Sequence, residues 1–223
     1  MAFHPRYARQ LLQWGEEKQQ RIESGVVLVA GLGGLGALVG QLLARAGVGK
    51  LYLLDDGYVD WPDLNRQLLY AEEDVGSSKL MLACDRLFRI NSTTEIVPLS
   101  GRLDESFRPP DDATLVADCL DNYRSRFLLE RAISKKNYLV HAGVQGEEGQ
   151  VLTLQKGASQ TLAAIFSGVQ QPAGEIPVTG SAAAVVAGLM SNELLAVLGG
   201  EPKLLNRCLV ISLSDFHISF LDV

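Results

Sequence analysis

Two hundred and twenty-three residues, 47% hydrophobic and 21% charged, can bury one sizeable core, and no Ser/Gly- or Pro-rich linker divides them, so residues 1–223 read as a single α/β domain. A formal net charge of −6 argues against nucleic-acid binding that rests on bulk electrostatics. The opening Met1-Ala2-Phe3-His4-Pro5-Arg6 lacks the basic start and apolar core of a signal peptide, which predicts a cytoplasmic protein without membrane association.

Residues 6–23, rich in Gln, Glu, Arg and Leu, predict an amphipathic helix or helix pair broken near Gly15, forming an arm over 1–24. On their own, the arginines of Arg6-Tyr7-Ala8-Arg9-Gln10 read as solvated surface charge. Val26–Ala30 is an apolar, β-branched run too short for most helices, and predicts a buried strand. A glycine loop follows at once. Gly31, Gly33 and Gly36 form G-x-G-x-x-G, with Gly34 inside it, and residues 37–46 continue as a helix with an apolar face. Glycine permits the unusual backbone angles of such a turn, lets phosphate oxygens approach the main chain, and lets the helix pack closely on the strand. The helix N-terminus then offers unpaired N–H groups to an anion. A second strand, 51–54, ends in Asp55, nineteen positions after Gly36 and near the ~20-residue spacing at which an acidic residue meets a ribose hydroxyl. The pattern predicts a nucleotide site without choosing the nucleotide.

After Asp55 come Asp56, then Asn65-Arg66-Gln67, then Lys79, and cations there suit a triphosphate better than a dinucleotide. The run Leu54-Asp55-Asp56-Gly57-Tyr58-Val59-Asp60-Trp61-Pro62-Asp63-Leu64-Asn65-Arg66-Gln67 resembles the ThiF/MoeB/HesA family, bacterial relatives of ubiquitin-activating enzymes, whose usual pattern is D-x-D-x-V-x-x-S-N-L-x-R-Q. That family adenylates the C-terminal glycine of small ubiquitin-like or sulfur-carrier proteins. The resemblance implies ATP and Mg²⁺, with Asp55 on the ribose and residues 31–36 shaping the pocket. Asp56, Asn65, Gln67 and Leu120 would be among the nucleotide contacts. It further implies that Arg66 and Lys79 meet phosphates or ribose, and that Arg9, from an R-Y-x-R-Q start, reaches the phosphates of a neighbouring subunit, hence a homodimer. Two departures from the pattern matter near the site: Asp63 stands where the family usually has Asn, and Gly57 where it often has a second Asp. An aspartate beside phosphates is repulsive unless metal-bridged or protonated.

Further along, Gly76-Ser77-Ser78-Lys79 precedes a helix over 80–90, with Ser77 or Ser78 as its cap. Lys79 in the first turn is slightly unfavourable for the helix dipole; on its own it reads as a tolerated surface lysine, and an anion nearby would make sense of it. Strands are predicted over 94–99 and 113–117, the latter ending at Asp118-Cys119-Leu120-Asp121-Asn122, and a helix over 124–135. The family's D-C-x-D-N motif matches here, implying that Asp121 holds Mg²⁺. The plainer alternative makes Asp118 and Asp121 capping carboxylates, and Asp118 is assigned that role. Residues 138–141 predict a strand, His141 a hydrogen-bonded and partly buried histidine, and residues 143–151 a glycine-punctuated turn. A crossover loop is expected over 155–178, broken by Gly168, Pro172, Gly174 and Pro177. It holds no cysteine and no C-x-x-C near 163–166, where zinc-binding family members place one. The three cysteines, Cys84, Cys119 and Cys208, are widely separated and predict reduced thiols, and no zinc is expected. Residues 181–198, interrupted by Ser191, Asn192 and Glu193, predict a buried core helix rather than a membrane span. A hairpin over 208–213 and 216–221, joined at Ser214-Asp215, closes the chain.

The alternation of strands and helices predicts an α/β, Rossmann-like, doubly wound and mainly parallel sheet, with an N-terminal helical arm and a C-terminal antiparallel hairpin. The leading function is adenylation of the C-terminal Gly-Gly of a small carrier protein. An NAD-dependent oxidoreductase and a non-catalytic nucleotide-binding scaffold are the alternatives.

Overall fold

The protein is described by a computed structural model over residues 3–170 and 174–223; Pro172, one of the expected loop breakers, lies outside the described residues. A turn of 3-10 helix, Pro5–Tyr7, leads into α1 (Ala8–Glu23), which bends where Gly15 takes φ 77° and ψ 172°. A glycine reaches that conformation without steric cost, and the break falls where expected. Then come β1 (Val26–Ala30), α2 (Gly36–Ala46), β2 (Lys50–Leu54), α3 (Lys79–Ile90), β3 (Glu95–Pro98), β4 (Leu115–Asp118) and α4 (Tyr123–Ala132). The second half adds β5 (Tyr138–Gln145), β6 (Glu148–Gln155), the single turn α5 (Leu162–Ile165), α6 (Gly180–Leu198), β7 (Arg207–Ser212) and β8 (His217–Asp222).

The strands form one sheet in the order β3-β2-β1-β4-β5-β6-β7-β8. Pairings among β1 to β5 are parallel, and those of β5 with β6, β6 with β7 and β7 with β8 are antiparallel. From β1 the chain moves outward through β2 to β3, then returns past β1 to β4 on its other side. That reversal leaves a crevice beyond the carboxyl ends of β1 and β4, where ligands of doubly wound sheets bind. Both faces are covered, so the strands alternate between two cores. Val27, Val29, Leu51, Leu53, Leu115 and Ala117 pack in the core shared with α2, α3 and α6, whereas Leu28, Ala30, Val116 and Leu139 pack with Leu129 and Ile133 of the opposite layer.

The glycine-rich stretch after His141 differs from expectation. β5 runs on to Gln145 and β6 begins at Glu148, so the turn is confined to two residues, with Gly146 at φ 61°. Gly149 is small because α6 lies against it: a Cβ there would stand 2.3 Å from Val186 Cγ2. Close packing, not turn-making, explains that glycine.

α6 has the length and apolarity of a membrane-crossing helix, at mean hydropathy 1.6, yet Ala183, Val186, Ala187, Met190 and Leu194 are buried in the first core. Glu193, only 2% exposed, is satisfied there. Its carboxylate accepts from Thr153 Oγ1 at 2.7 Å and from the backbone N–H groups of Lys203 at 3.0 Å and Leu204 at 2.9 Å, tying α6 to β6 and to the approach to β7.

Candidate active site

Beyond the ends of β1, β2 and β4 lies a cavity of about 770 Å³. Its floor is the glycine loop. Gly31 has φ +89°, and a Cβ there would stand 2.8 Å from the carbonyl of Cys119; at Gly36 it would come within 1.8 Å of the Gly31 carbonyl. These two glycines are demanded by the fold. At Gly33 and Gly34 the nearest groups, Gln67 Nε2 and Arg66 Cγ, lie at ordinary contact distances of 3.6 and 3.4 Å, so those positions are open towards the cavity. Asp55 straps the loop to the turn after β2: Oδ2 accepts from the Leu32 N–H at 2.6 Å and Oδ1 from the Gly57 N–H at 2.7 Å.

Beside the loop, a wall of the cavity carries a charge cluster centred on Asp63. Lys79 Nζ lies 2.8 Å from Asp63 Oδ2, with both side chains 13% exposed. Arg66 Nη2 is 3.4 Å from Oδ1, and Gln67 Nε2 donates to the same oxygen at 2.6 Å. The anion called for by a lysine in the first turn of α3 is therefore Asp63, while Ser78 caps the helix by accepting from the Met81 N–H. Gln67 is buried, and its Oε1 has no hydrogen-bond partner among the described residues.

The third wall is the loop between β4 and α4. Asp118 does not cap the helix: it is fully buried, paired with His141 Nδ1 at 2.7 Å. Asn122 is the cap, accepting from the Ser125 N–H at 2.8 Å. His141 is likewise fully buried rather than partly so. Its pKa lies below the ordinary histidine value because burial and the Arg126 guanidinium both disfavour the imidazolium, outweighing the Asp118 carboxylate. A neutral ring donating from Nδ1 to Asp118 has a free lone pair on Nε2, and that atom faces Arg126 Nη1 at 3.1 Å and Gln150 Nε2 at 3.3 Å. Arg126 then donates through Nε and Nη2 to the Leu120 carbonyl at 3.0 and 2.5 Å, and the Leu120 N–H returns to Asp118 at 3.2 Å. This buried network clamps the loop that carries Asp121 to the cavity mouth. Asp121 is exposed, accepts from Asn122 Nδ2 at 3.0 Å, and also borders a second cavity of about 220 Å³ that runs along β5 and β6. Cys119 lines the main cavity, but burial pushes its thiol far above the usual range, so it does not act as a thiolate.

Of the residues singled out in the sequence, Gly31, Gly33, Gly34, Asp55, Asp56, Arg66, Gln67, Lys79, Leu120 and Asp121 meet at this cavity. Gly36 sits behind the loop. Asn65 faces away and donates to the Val178 carbonyl at 3.1 Å, and Arg9 is exposed near the start of α1, outside the cavity lining. Arg126 was not anticipated. Its signal was present, since it falls four residues after the Asn122 cap and must face back towards the loop.

A glycine loop, an acidic strand end and a cation pair at the switch point of a doubly wound sheet define a nucleotide-binding α/β protein. The chain belongs to the ThiF family, whose model matches residues 7–223, and it is an adenylyltransferase of that family; the oxidoreductase reading is set aside. It is 31% identical to the heterocyst protein HesA of Trichormus variabilis, over 96% of this chain and 83% of that protein. It is 35% identical to the sulfur carrier protein adenylyltransferase of Thermus thermophilus, over 89% and 79% respectively. Escherichia coli MccB, solved with ATP, shares the fold at a TM-score of 0.83 and 19% identity, covering 99% of this chain and 72% of that one.

Proposed function

We propose that the protein activates the C-terminal glycine carboxylate of a small ubiquitin-like or sulfur-carrier protein with ATP, working as a cytoplasmic homodimer. A carboxylate oxygen of the carrier bonds to the α-phosphorus while the bond to the β-phosphate oxygen breaks, giving an acyl-adenylate and pyrophosphate. No protein nucleophile is needed, and the chain contributes positioning and charge neutralisation. The carrying observation is the convergence in one cavity of the 31–34 backbone, Asp55, the Arg66–Lys79 pair and Asp121.

In this reading Asp55 accepts from a ribose hydroxyl, Gly33 and Gly34 admit the nucleotide to the main chain, and Arg66, Lys79 and the partner subunit's Arg9 meet phosphate oxygens. Four cations and six carboxylates line the cavity, leaving no surplus positive charge for a triphosphate. Among the described residues no three metal-ligating side chains converge. Asp121 as one carboxylate, with the phosphates supplying the other oxygens, is the manner in which Mg²⁺ is commonly held. When bound, the ion neutralises charge developing on the phosphates. Support also comes from the relatives, one named as acting on a sulfur carrier protein and one solved together with ATP.

Calorimetric titration with Mg²⁺-ATP and, separately, NAD⁺ tests nucleotide choice, and pyrophosphate release with a carrier ending in Gly-Gly tests the reaction. Asp121→Ala is expected to keep the wild-type melting temperature and lose about 10²-fold or more in pyrophosphate release. Unchanged turnover in the variant, or binding of NAD⁺ alone by wild type, overturns the reading. Binding of ATP without turnover in wild type leaves the scaffold alternative in its place.

A further inference from the structure

Asp63 is saturated from within the protein. Gln67 Nε2 and Arg66 Nη2 donate to Oδ1, Lys79 Nζ and the Asp60 N–H to Oδ2, all within 3.4 Å. The two cations on this wall of the cavity are thus already partly neutralised before any ligand arrives, two positive charges sharing one carboxylate. Separating Lys79 from a carboxylate that is only 13% exposed leaves a poorly solvated charge, so it costs far more than breaking a surface pair. Both cations nonetheless keep donors to spare, because an ammonium has three and a guanidinium five.

We propose that Asp63 is an internal counterion that sets the affinity of this site for polyphosphate. It holds the Lys79 ammonium and the Arg66 guanidinium in place at the cavity wall and competes with the incoming phosphates for both. The inference rests on the nucleotide reading above. Its consequence is a site that binds triphosphate less tightly than a neutral residue at position 63 would allow. When pyrophosphate leaves, the carboxylate takes back both cations, which favours departure.

The test is calorimetric titration with Mg²⁺-ATP, pyrophosphate and adenosine of wild type, Asp63→Asn, Lys79→Met and the double variant, with circular dichroism to verify folding. Asp63→Asn is expected to bind Mg²⁺-ATP and pyrophosphate about tenfold more tightly, the scale of removing one like charge near the phosphates, with adenosine unchanged. A merely structural carboxylate would shift all three ligands alike or none. In the Lys79→Met background, adding Asp63→Asn is expected to recover most of the lost affinity, because the unpaired carboxylate is then removed. A folded Asp63→Asn that binds ATP no more tightly than wild type, or a double variant without recovery, overturns the counterion role and leaves the nucleotide reading intact. Failure of wild type and variants alike to bind ATP overturns both. If the asparagine variant does not fold, Asp63→Ser keeps an acceptor without the charge and takes its place.

Discussion

His141 is a residue whose chemistry is decided by depth. Its pKa is lowered by burial and by Arg126, so the unfolded chain takes up a proton near pH 6.5 while the folded chain does so only at lower pH. Between those values the unfolded state binds more protons, so stability is expected to fall as pH drops below about 6.5 and to level off only beneath the folded pKa. The slope from this one group reaches at most about 1.4 kcal/mol per pH unit. Replacing His141→Gln is expected to remove that component, which thermal melts from about pH 7.5 to about pH 5 resolve as two curves that converge in acid. Parallel curves would count against a neutral buried imidazole. The sequence showed the aspartate and the histidine but not their pairing. Asp118 and His141 are 23 positions apart and become neighbours only because β4 and β5 align Asp118 opposite His141. A motif spacing carries no information on depth, which is why Asp118 was assigned to the helix cap that Asn122 in fact provides.

The elements were more legible than the contacts between them. β1, the glycine loop, α2 and Asp55 follow from a strand, a tight turn and an amphipathic helix written consecutively, and the turn's glycines divide into two kinds only in three dimensions. Gly36→Ala places a methyl group against the Gly31 carbonyl, 1.8 Å away, with the Cβ of Cys119 at 3.1 Å and no flexible side-chain end to move. A loss of about 3 kcal/mol in unfolding free energy is expected, measured by denaturant titration. Gly33→Ala meets only the Gln67 amide at ordinary contact distance and is expected to leave stability within about 0.5 kcal/mol while weakening Mg²⁺-ATP binding, since Gly33 lines the cavity. Equal destabilisation by the two substitutions would show that the loop is packed throughout and not open at Gly33. The antiparallel pair β5–β6 was harder to see, because Gly143 and Gly149 read as turn residues when their smallness serves neighbouring side chains. Glu193 was read as an interruption of an apolar helix, and its three donors come from segments about 10 and about 40 residues away, beyond any local pattern.

At the scale of the molecule, a doubly wound and mainly parallel sheet was accessible from the alternation of elements, whereas the order β3-β2-β1-β4-β5 emerges only from the strand pairings. The role of Arg9 rests on the family resemblance alone, because as proposed it involves a second chain. Arg9 is exposed and does not line the cavity of its own subunit, so a role at the phosphates requires the proposed homodimer to supply it across the interface. A C2 dimer makes this a matter of arithmetic. Arg9→Ala and Asp121→Ala chains are each expected to be inactive alone in pyrophosphate release. Mixed in equal amounts and allowed to exchange subunits, half the dimers are hybrids, and each hybrid holds one site with an intact Asp121 facing an intact Arg9. About a quarter of wild-type activity should therefore return. Exchange is verified by size-exclusion chromatography of differently tagged chains. If hybrids form and no activity returns, Arg9 acts within its own subunit or not at all; if Arg9→Ala alone is fully active, the arginine is the solvated surface charge that its exposure on α1 would suggest for a monomer.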